Sequence, residues 1–326
     1  MDAPGSGAVV ELPDPRIGDY DAEVEMLWCG VCSSTDRMLR AGTFRGGVSY
    51  PSILGHESVG RVTAIGPGVR NLAVGDLVTR PAAYAPDSAP VAMHWGGFAE
   101  RGLVRDALAE AKDRSAPAGA VNWVRLEPGT DPRSAALAIS LSETFSVACR
   151  EDLLGATVIV VGTGIAGLSL MRFASLLGAA RVIGVGRRTE RLTSAARAGA
   201  TETLLAEDAA HELARRADAD VVFEASGQTA MVSAGFGWLR PGGRLIVYSA
   251  PEDTAALDLM AAPRDVDLRI PSTRETAVLP GIVQLVESGY LAVDTFVTLS
   301  VDLPDIASAF DAIDRGDVVK ALVRLG

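Results

Sequence analysis

The run Thr157-Val158-Ile159-Val160-Val161-Gly162-Thr163-Gly164-Ile165-Ala166-Gly167 decides how this chain folds. Five consecutive β-branched residues ending at a glycine loop read as a strand buried on both faces, and Ile165 to Leu177 follows with helical spacing. Arg181 to Val185 is a second buried strand, which completes a βαβ unit. In such a unit the backbone N–H groups of the loop and the positive end of the helix can meet a pyrophosphate. Gly162 permits the tight turn, Gly164 the close phosphate approach and Gly167 the close packing of helix on strand, with Thr163, Ile165 and Ala166 completing the cradle. A glycine-rich structural turn is the plainer alternative, but strand, loop, helix and second strand occur together here and point to a dinucleotide site.

The pattern continues outward on both sides. Val221 to Glu224 and Arg244 to Tyr248 repeat the buried strand, with a helical stretch near Ala230 to Leu239 between them and a turn expected at Pro241-Gly242-Gly243. The expected architecture is α/β, a doubly wound parallel sheet. Beyond it lie a helix (Leu279 to Ser288), an extended stretch (Thr295 to Val301), a helix (Ile306 to Arg315) and a last strand (Lys320 to Leu325). Upstream, the first 143 residues read as short strands such as Glu23 to Trp28, Ser58 to Ile65 and Leu77 to Thr79, with turns at Gly66-Pro67-Gly68 and Gly75-Asp76, a pattern that suits a small barrel.

The end of the second strand of the βαβ unit bears on cofactor choice. NAD-binding versions carry an acid there for the adenosine ribose, whereas this chain reads Val185-Gly186-Arg187-Arg188. Gly186 is expected to leave room for a 2′-phosphate and the two guanidiniums to pair with it, so NADP(H) is expected over NAD(H).

Composition narrows the function classes. At 326 residues with 48% hydrophobic and 22% charged residues, the chain suits a soluble globular enzyme of one large or two ordinary domains. A net charge of -11 without a Lys/Arg run argues against nucleic-acid binding and an anionic membrane surface. No 18-residue apolar run spans a bilayer and no basic-then-apolar leader opens the chain, so a cytoplasmic setting is expected. Three cysteines do not make a disulfide framework.

Cys32 lies in Cys29-Gly30-Val31-Cys32-Ser33-Ser34-Thr35-Asp36, His56 in Gly55-His56-Glu57, and Glu143 in Glu143-Thr144-Phe145-Ser146-Val147. One thiolate, one imidazole and one carboxylate are three protein ligands, leaving a fourth tetrahedral position open as catalytic zinc requires. Together with the glycine loop, this order of motifs resembles the zinc-dependent medium-chain dehydrogenase/reductase family, from about Val9 to the C-terminus. The resemblance implies a GroES-like β-barrel catalytic domain, 1–143 and 272–326, with a Rossmann cofactor domain, 144–271, inserted into it. It makes Cys32 and His56 zinc ligands. It gives the third place to Glu143, whose stretch resembles one in sorbitol-dehydrogenase-like members with Thr144 replacing the usual proline, or to Glu57 of the Gly-His-Glu motif.

By the same resemblance Ser34 is the hydroxyl that passes the substrate proton toward solvent, with Thr35 its nearest substitute. Asp36 orients His56, one place later than the family's acid. Lys320 is either a cation near the cofactor or a surface residue at a strand start. Residues 81 to 96 contain no cysteine, so only one, catalytic zinc is expected and the lobe that would hold a structural ion is abbreviated. The implied activity is reversible hydride transfer between NADP(H) and a secondary alcohol or ketone, with a polyol, sugar or cyclitol as small-molecule substrate, in a homodimer or homotetramer. A zinc-free enone or quinone reductase of the same superfamily and a non-catalytic nucleotide-binding relative are the alternatives.

Overall fold

A computed structural model of the chain describes residues 1–5, 7–84, 91–115, 121–249, 257 and 262–326. The chain divides into two units, Met1–Ser140 with Leu279–Gly326, and Leu141–Val278. In chain order the first unit opens with β1 (Asp21–Val31), α1 (Thr35–Ala41), β2 (Ser52–Ile53), β3 (Glu57–Ile65), β4 (Leu77–Thr79), β5 (Ala92–Met93), β6 (Arg101–Arg105) and α2 (Ala107–Arg114). Helix α3 (Pro132–Ala148) runs across the division. The second unit holds β7 (Thr157–Val161), α4 (Ile165–Leu176), β8 (Arg181–Gly186), α5 (Thr189–Arg197), β9 (Glu202–Leu205), α6 (Ala206–Arg216), β10 (Ala219–Glu224), α7 (Thr229–Phe236), β11 (Leu239–Val247) and β12 (Asp267–Arg269). After α8 (Glu275–Glu287), α9 (Val293–Phe296), β13 (Val297–Asp302), α10 (Ile306–Arg315) and β14 (Lys320–Arg324) complete the first unit.

In the first unit one sheet has the order β13-β14-β1-β3-β4, and β6 pairs with β1 as well. Ala82, just past β4, exchanges backbone hydrogen bonds of 3.1 and 2.7 Å with Leu103 of β6, so the pairings from β1 through β3, β4 and β6 return to β1 as a small barrel. Strand β1 alternates as a barrel strand must, with Ala22, Val24 and Met26 buried and Glu25 exposed. Val62, Val78, Val104 and Val323 meet these residues in the core.

Asp106 fastens α2 beneath this barrel. Its carboxylate is fully buried and accepts from the backbone N–H groups of Arg70 (2.8 Å), Asn71 (2.8 Å) and Ala109 (3.1 Å) and from the Asn71 side chain (2.8 Å). Burial pushes its pKa up, but these bonds outweigh it and hold the carboxyl below its usual range.

The second unit is the doubly wound parallel sheet, with order β12-β11-β10-β7-β8-β9. Chain order runs one way from β7 to β9 and the other from β10 to β12, so the switch point lies between β7 and β10. Val158 to Val161 are buried on both faces. At about 1.5 to 3 kcal/mol for each fully buried aliphatic side chain, this run anchors the unit.

Three expectations need correcting. The segment before residue 143 also contains α1, α2 and α3. Pro241 to Gly243 form no turn after a helix. They lie inside β11, where pairing jumps from Ala219 opposite Leu239 to Val221 opposite Arg244, and Gly242 at φ +77° lets the extra residues bulge. The extended stretch expected from Thr295 begins at Val297, after the helical turn α9. Part of the abbreviated lobe, residues 85–90, lies outside the described residues. Among the described residues, no helix is long and apolar enough to cross a membrane.

Candidate active site

Three strand ends converge in the first unit. Antiparallel pairing sets Gly30 near the end of β1 opposite Glu57 at the start of β3, and Val31 opposite Ala321 of β14. Cys32, His56 with Glu57, and Lys320 therefore meet, although they come from far-apart parts of the chain. A Cys32 Sγ, a His56 ring nitrogen and a Glu57 carboxylate oxygen all lie within 4.8 Å of one another. Zinc bonds to S, N and O of about 2.0 to 2.3 Å place tetrahedral donors roughly 3.3 to 3.8 Å apart, so the three fit one ion after a small contraction.

The surroundings of the cluster are built as a metal site needs. Asp36 is fully buried on α1. Its Oδ2 accepts from the Cys32 N–H at 2.8 Å, and its Oδ1 lies 3.5 Å from His56 Nδ1. Asp36 thus reaches His56 despite the extra residue before it. This leaves Nε2, 3.9 Å from Glu57 Oε1, as the nitrogen on the ligand side. The Thr35 N–H donates to Cys32 Sγ at 3.4 Å. Burial pushes the His56 pKa down, but the Asp36 carboxylate and then Cys32 outweigh it, and the imidazole sits well above its ordinary value.

Lys320 is 1% exposed, which overturns its reading as a surface residue. Its ammonium bonds to Glu57 Oε2. Burial raises the Glu57 pKa, but Lys320 and then His56 overcome this and lower it. Burial likewise lowers that of Lys320, and Glu57 and Cys32 reverse it. Gly30 leaves the space for this pair, since a Cβ there would lie 2.0 Å from Glu57 Oε2. Reading the sequence missed the pair. The available signal was that Lys320 is one of two lysines in a chain whose other cations are arginine.

Ser34 precedes α1 with its side chain exposed, and Thr35 is half-buried. Glu143 lies half-buried on α3, in the second unit, where its carbonyl accepts from Ser146 Oγ at 2.8 Å. The carboxylate that the first unit itself brings to the cluster is Glu57.

In the second unit, Gly162 ends β7 beside the switch point at φ +114°. A Cβ on Gly167 would sit 1.9 Å from the Gly162 carbonyl oxygen, so only glycine lets α4 start this close to the strand. Gly164 has open space on its Cβ side, as an approaching phosphate needs, and it stands at the N-terminus of α4 with no side chain capping the first-turn N–H groups. These features fit a bound dinucleotide pyrophosphate.

The space expected at Gly186 is filled instead. A Cβ there would meet Thr163 Cγ2 at 2.7 Å and Leu192 Cδ2 at 3.0 Å, so this glycine serves packing. Arg187 and Arg188 follow it, both exposed. Glu224, given no role by the sequence reading, is fully buried at the end of β10. It accepts from the Ser226 N–H at 2.7 Å, the Gly227 N–H at 3.1 Å and the hydroxyls of Ser226 and Ser249, pinning the turn whose Ala225 carbonyl faces Gly162. An acid closing an apolar run at the carboxyl end of a parallel strand was its signal in the sequence.

Comparison with known proteins agrees with this geometry. Residues 18–112 match the alcohol dehydrogenase GroES-like domain, and residues 166–278 match the zinc-binding dehydrogenase family. The chain is 30% identical to a probable zinc-binding alcohol dehydrogenase of Mycobacterium tuberculosis, over 95% of this chain and 83% of that protein. It is 27% identical to the sorbitol dehydrogenase of Rattus norvegicus, over 98% and 93% of the two chains. Among solved structures, an alcohol dehydrogenase from Thermus sp. ATN1 superposes with a TM-score of 0.80 at 27% identity, covering 100% of this chain and 99% of that one. With a family model matched in each part of the chain and a 30% identical relative over 95% of it, the chain is an oxidoreductase of the zinc-dependent medium-chain dehydrogenase/reductase family.

Proposed function

We propose that this enzyme transfers a hydride reversibly between NADP(H) and a secondary alcohol or its ketone, using one zinc ion held by Cys32, His56 and a carboxylate. The observation that carries the reading is the convergence of Cys32, His56 and Glu57 donors within 4.8 Å beside a buried Asp36. When bound, zinc supplies Lewis acidity toward the substrate oxygen and the nicotinamide supplies or accepts the hydride.

The chain's own residues then have separate tasks. Asp36 orients the His56 ring, and Lys320 keeps Glu57 ionised inside the protein. With one ammonium donor on Glu57, Lys320 keeps further donors for the cofactor contact we assign to it. Glu57 and Glu143 remain the two candidates for the third ligand. Zinc content of Glu57→Ala and Glu143→Ala separates them, because only loss of the true ligand weakens the metal. Ser34, exposed two residues beyond Cys32, hands the alcohol proton to water, with Thr35 next in line.

The loop Gly162, Thr163, Gly164, Ile165, Ala166 and Gly167 holds the pyrophosphate, Gly186 supports Thr163 of that loop, and Arg187 and Arg188 hold the 2′-phosphate. Kinship to a sorbitol dehydrogenase supports a polyol, sugar or cyclitol as substrate. We assign catalysis to residues 1–143 with 272–326 and cofactor binding to 144–271, in a homodimer or homotetramer of the cytoplasm. The test is zinc analysis of the purified protein with kcat/KM on a polyol panel for each cofactor. Full activity in metal-free protein, or equal kcat/KM with NADPH and NADH, overturns the proposal.

A further inference from the structure

Among the described residues four acids are buried. Asp36 and Glu57 lie in the metal cluster and Asp106 fastens α2, which leaves Glu224 at the carboxyl end of β10. Its backbone is tied to both neighbouring strands. The Ala225 N–H donates to the Val161 carbonyl of β7 at 2.8 Å, and the Tyr248 and Ser249 N–H groups, just past β11, donate to the Glu224 carbonyl at 2.9 and 3.2 Å. The side chain is equally fixed. Oε1 accepts from the N–H groups of Ser226 and Gly227 and from the Ser226 hydroxyl, and Oε2 accepts from the Ser249 hydroxyl. All of these donors are neutral. Glu224 makes no ion pair among the described residues, so its charge is solvated by dipoles and cancelled by no cation. The amino end of α7, beginning at Thr229, offsets about half a unit of that charge.

A dinucleotide held by the Gly162 to Gly167 loop lies across the carboxyl ends of these strands. Its adenosine half points to β8, where Arg187 and Arg188 stand, so its nicotinamide half falls on the side of β10 and β11. Alcohol oxidation delivers a hydride from carbon to the nicotinamide ring and releases the hydroxyl proton. The ring is therefore cationic before transfer and neutral after it, whereas the phosphates carry the same charge in both forms. A buried carboxylate on the nicotinamide side repels the phosphates of both forms alike and attracts the ring of one. Ala225, Ser226 and Gly227, the turn that follows Glu224, bring no bulky side chain to hold a ligand away. At an effective dielectric constant of about 20, one charge acting over about 10 to 15 Å changes affinity roughly 6- to 17-fold.

We infer that Glu224 makes the second unit select the oxidised cofactor, its buried charge favouring the cationic nicotinamide over the neutral, reduced ring. The overall reaction equilibrium is untouched. What shifts is loading and release: the oxidised cofactor binds more readily and the reduced one leaves more readily. The inference rests on the proposed dinucleotide binding at the glycine loop. It does not rest on the choice of NADP(H) over NAD(H), because the ring is the same in both.

The substitution Glu224→Gln removes the charge and keeps the shape. Its amide oxygen can hold the bonds now made by Oε1, and its NH2 group can donate to Ser249 Oγ, which accepts from the Gly227 N–H at 2.8 Å and has a second lone pair free. The test measures Kd by calorimetry for NADP+, NADPH, NAD+ and NADH on the purified full chain. The ratio of oxidised to reduced Kd should rise at least threefold in Glu224→Gln, by a similar factor for both cofactor pairs. Threefold is an upward shift of about 14 mV in the two-electron midpoint of the bound cofactor. Glu224→Asn, a second neutral variant, should shift the ratio in the same direction by at least as much as threefold, and Glu224→Asp should return it to that of the parent. Damage to the turn alone weakens both forms together and leaves the ratio where it was. A shift below threefold in the neutral variants, a fall in the ratio, or an equal shift in Glu224→Asp would overturn the inference and leave the proposed function standing. A parent protein that binds none of the four nucleotides would overturn both.

Discussion

The glycine loop of the second unit and the ligand cluster of the first reach their geometry by opposite routes. The loop is contiguous, and Gly162 to Gly167 take their shape from the strand before and the helix after. The cluster is assembled by strand register, which brings Cys32 beside His56 and Lys320 beside Glu57, 263 residues away. The difference teaches that a site made by local backbone shape depends on its own few residues, whereas a site made by register depends on every strand that fixes the register.

The largest expected effect separates the two sites. Cys32→Ser and His56→Ala should each remove zinc and turnover while leaving NADPH affinity unchanged, as measured by metal analysis and nucleotide titration. Weakened nucleotide binding in either variant would break the separation.

Next comes the proton path. Ser34→Ala should lower kcat by roughly 10²- to 10⁴-fold at unchanged zinc content, and Ser34→Thr should keep much of the rate. Wild-type kinetics in Ser34→Ala would transfer the role to Thr35.

The buried pair probes register directly. Lys320→Met leaves the Glu57 carboxylate buried without its partner, and unfolding in denaturant should show a loss of about 3 to 5 kcal/mol. A loss below about 1 kcal/mol would mean that Glu57 finds water or another donor.

Asp106 tests the same unit away from the metal. Asp106→Ala strips its acceptors from buried N–H groups, and unfolding should show a loss of about 2 to 4 kcal/mol. Because the folded pKa is depressed, its contribution is complete above the unfolded value of about 4 and disappears as pH falls through the lower folded value. The stability gap between wild type and Asp106→Ala should therefore narrow on acidification below pH about 4. A gap that is flat with pH would assign the loss to packing.

The smallest effect belongs to the loop side. Arg187→Ala should weaken NADPH by about 1.5 to 3 kcal/mol, roughly 10- to 100-fold, and leave NADH unchanged. Parallel losses for both cofactors would place this arginine on the pyrophosphate instead.

These contrasts also explain what could be read from the sequence. In the second unit, the strand Thr157 to Val161 and the helix from Ile165 show their periods plainly and end within a residue of expectation, whereas the helix expected to reach Leu239 stops at Phe236 and the strand expected from Arg244 begins at Leu239. Helix α3 could not be read this way because Ser134 to Ser142 are all buried and no polar stripe marks a helical period. The Pro241-Gly242-Gly243 signal was a genuine break in regular structure, but a bulge and a turn use the same residues. In the site, Cys32 and His56 were legible from their motifs. The Glu57–Lys320 pair was not, because nothing in a linear sequence states which strand lies beside which.

The placement of β14 has a consequence for synthesis on the ribosome. Residues 141–278 emerge and can fold as a unit before Lys320 and its strand are made. Until then β1 lacks its β14 neighbour, and Glu57 has no ammonium to meet. The nucleotide-binding half can mature first, and the metal-binding half must wait, partly assembled, for the far end of its own chain.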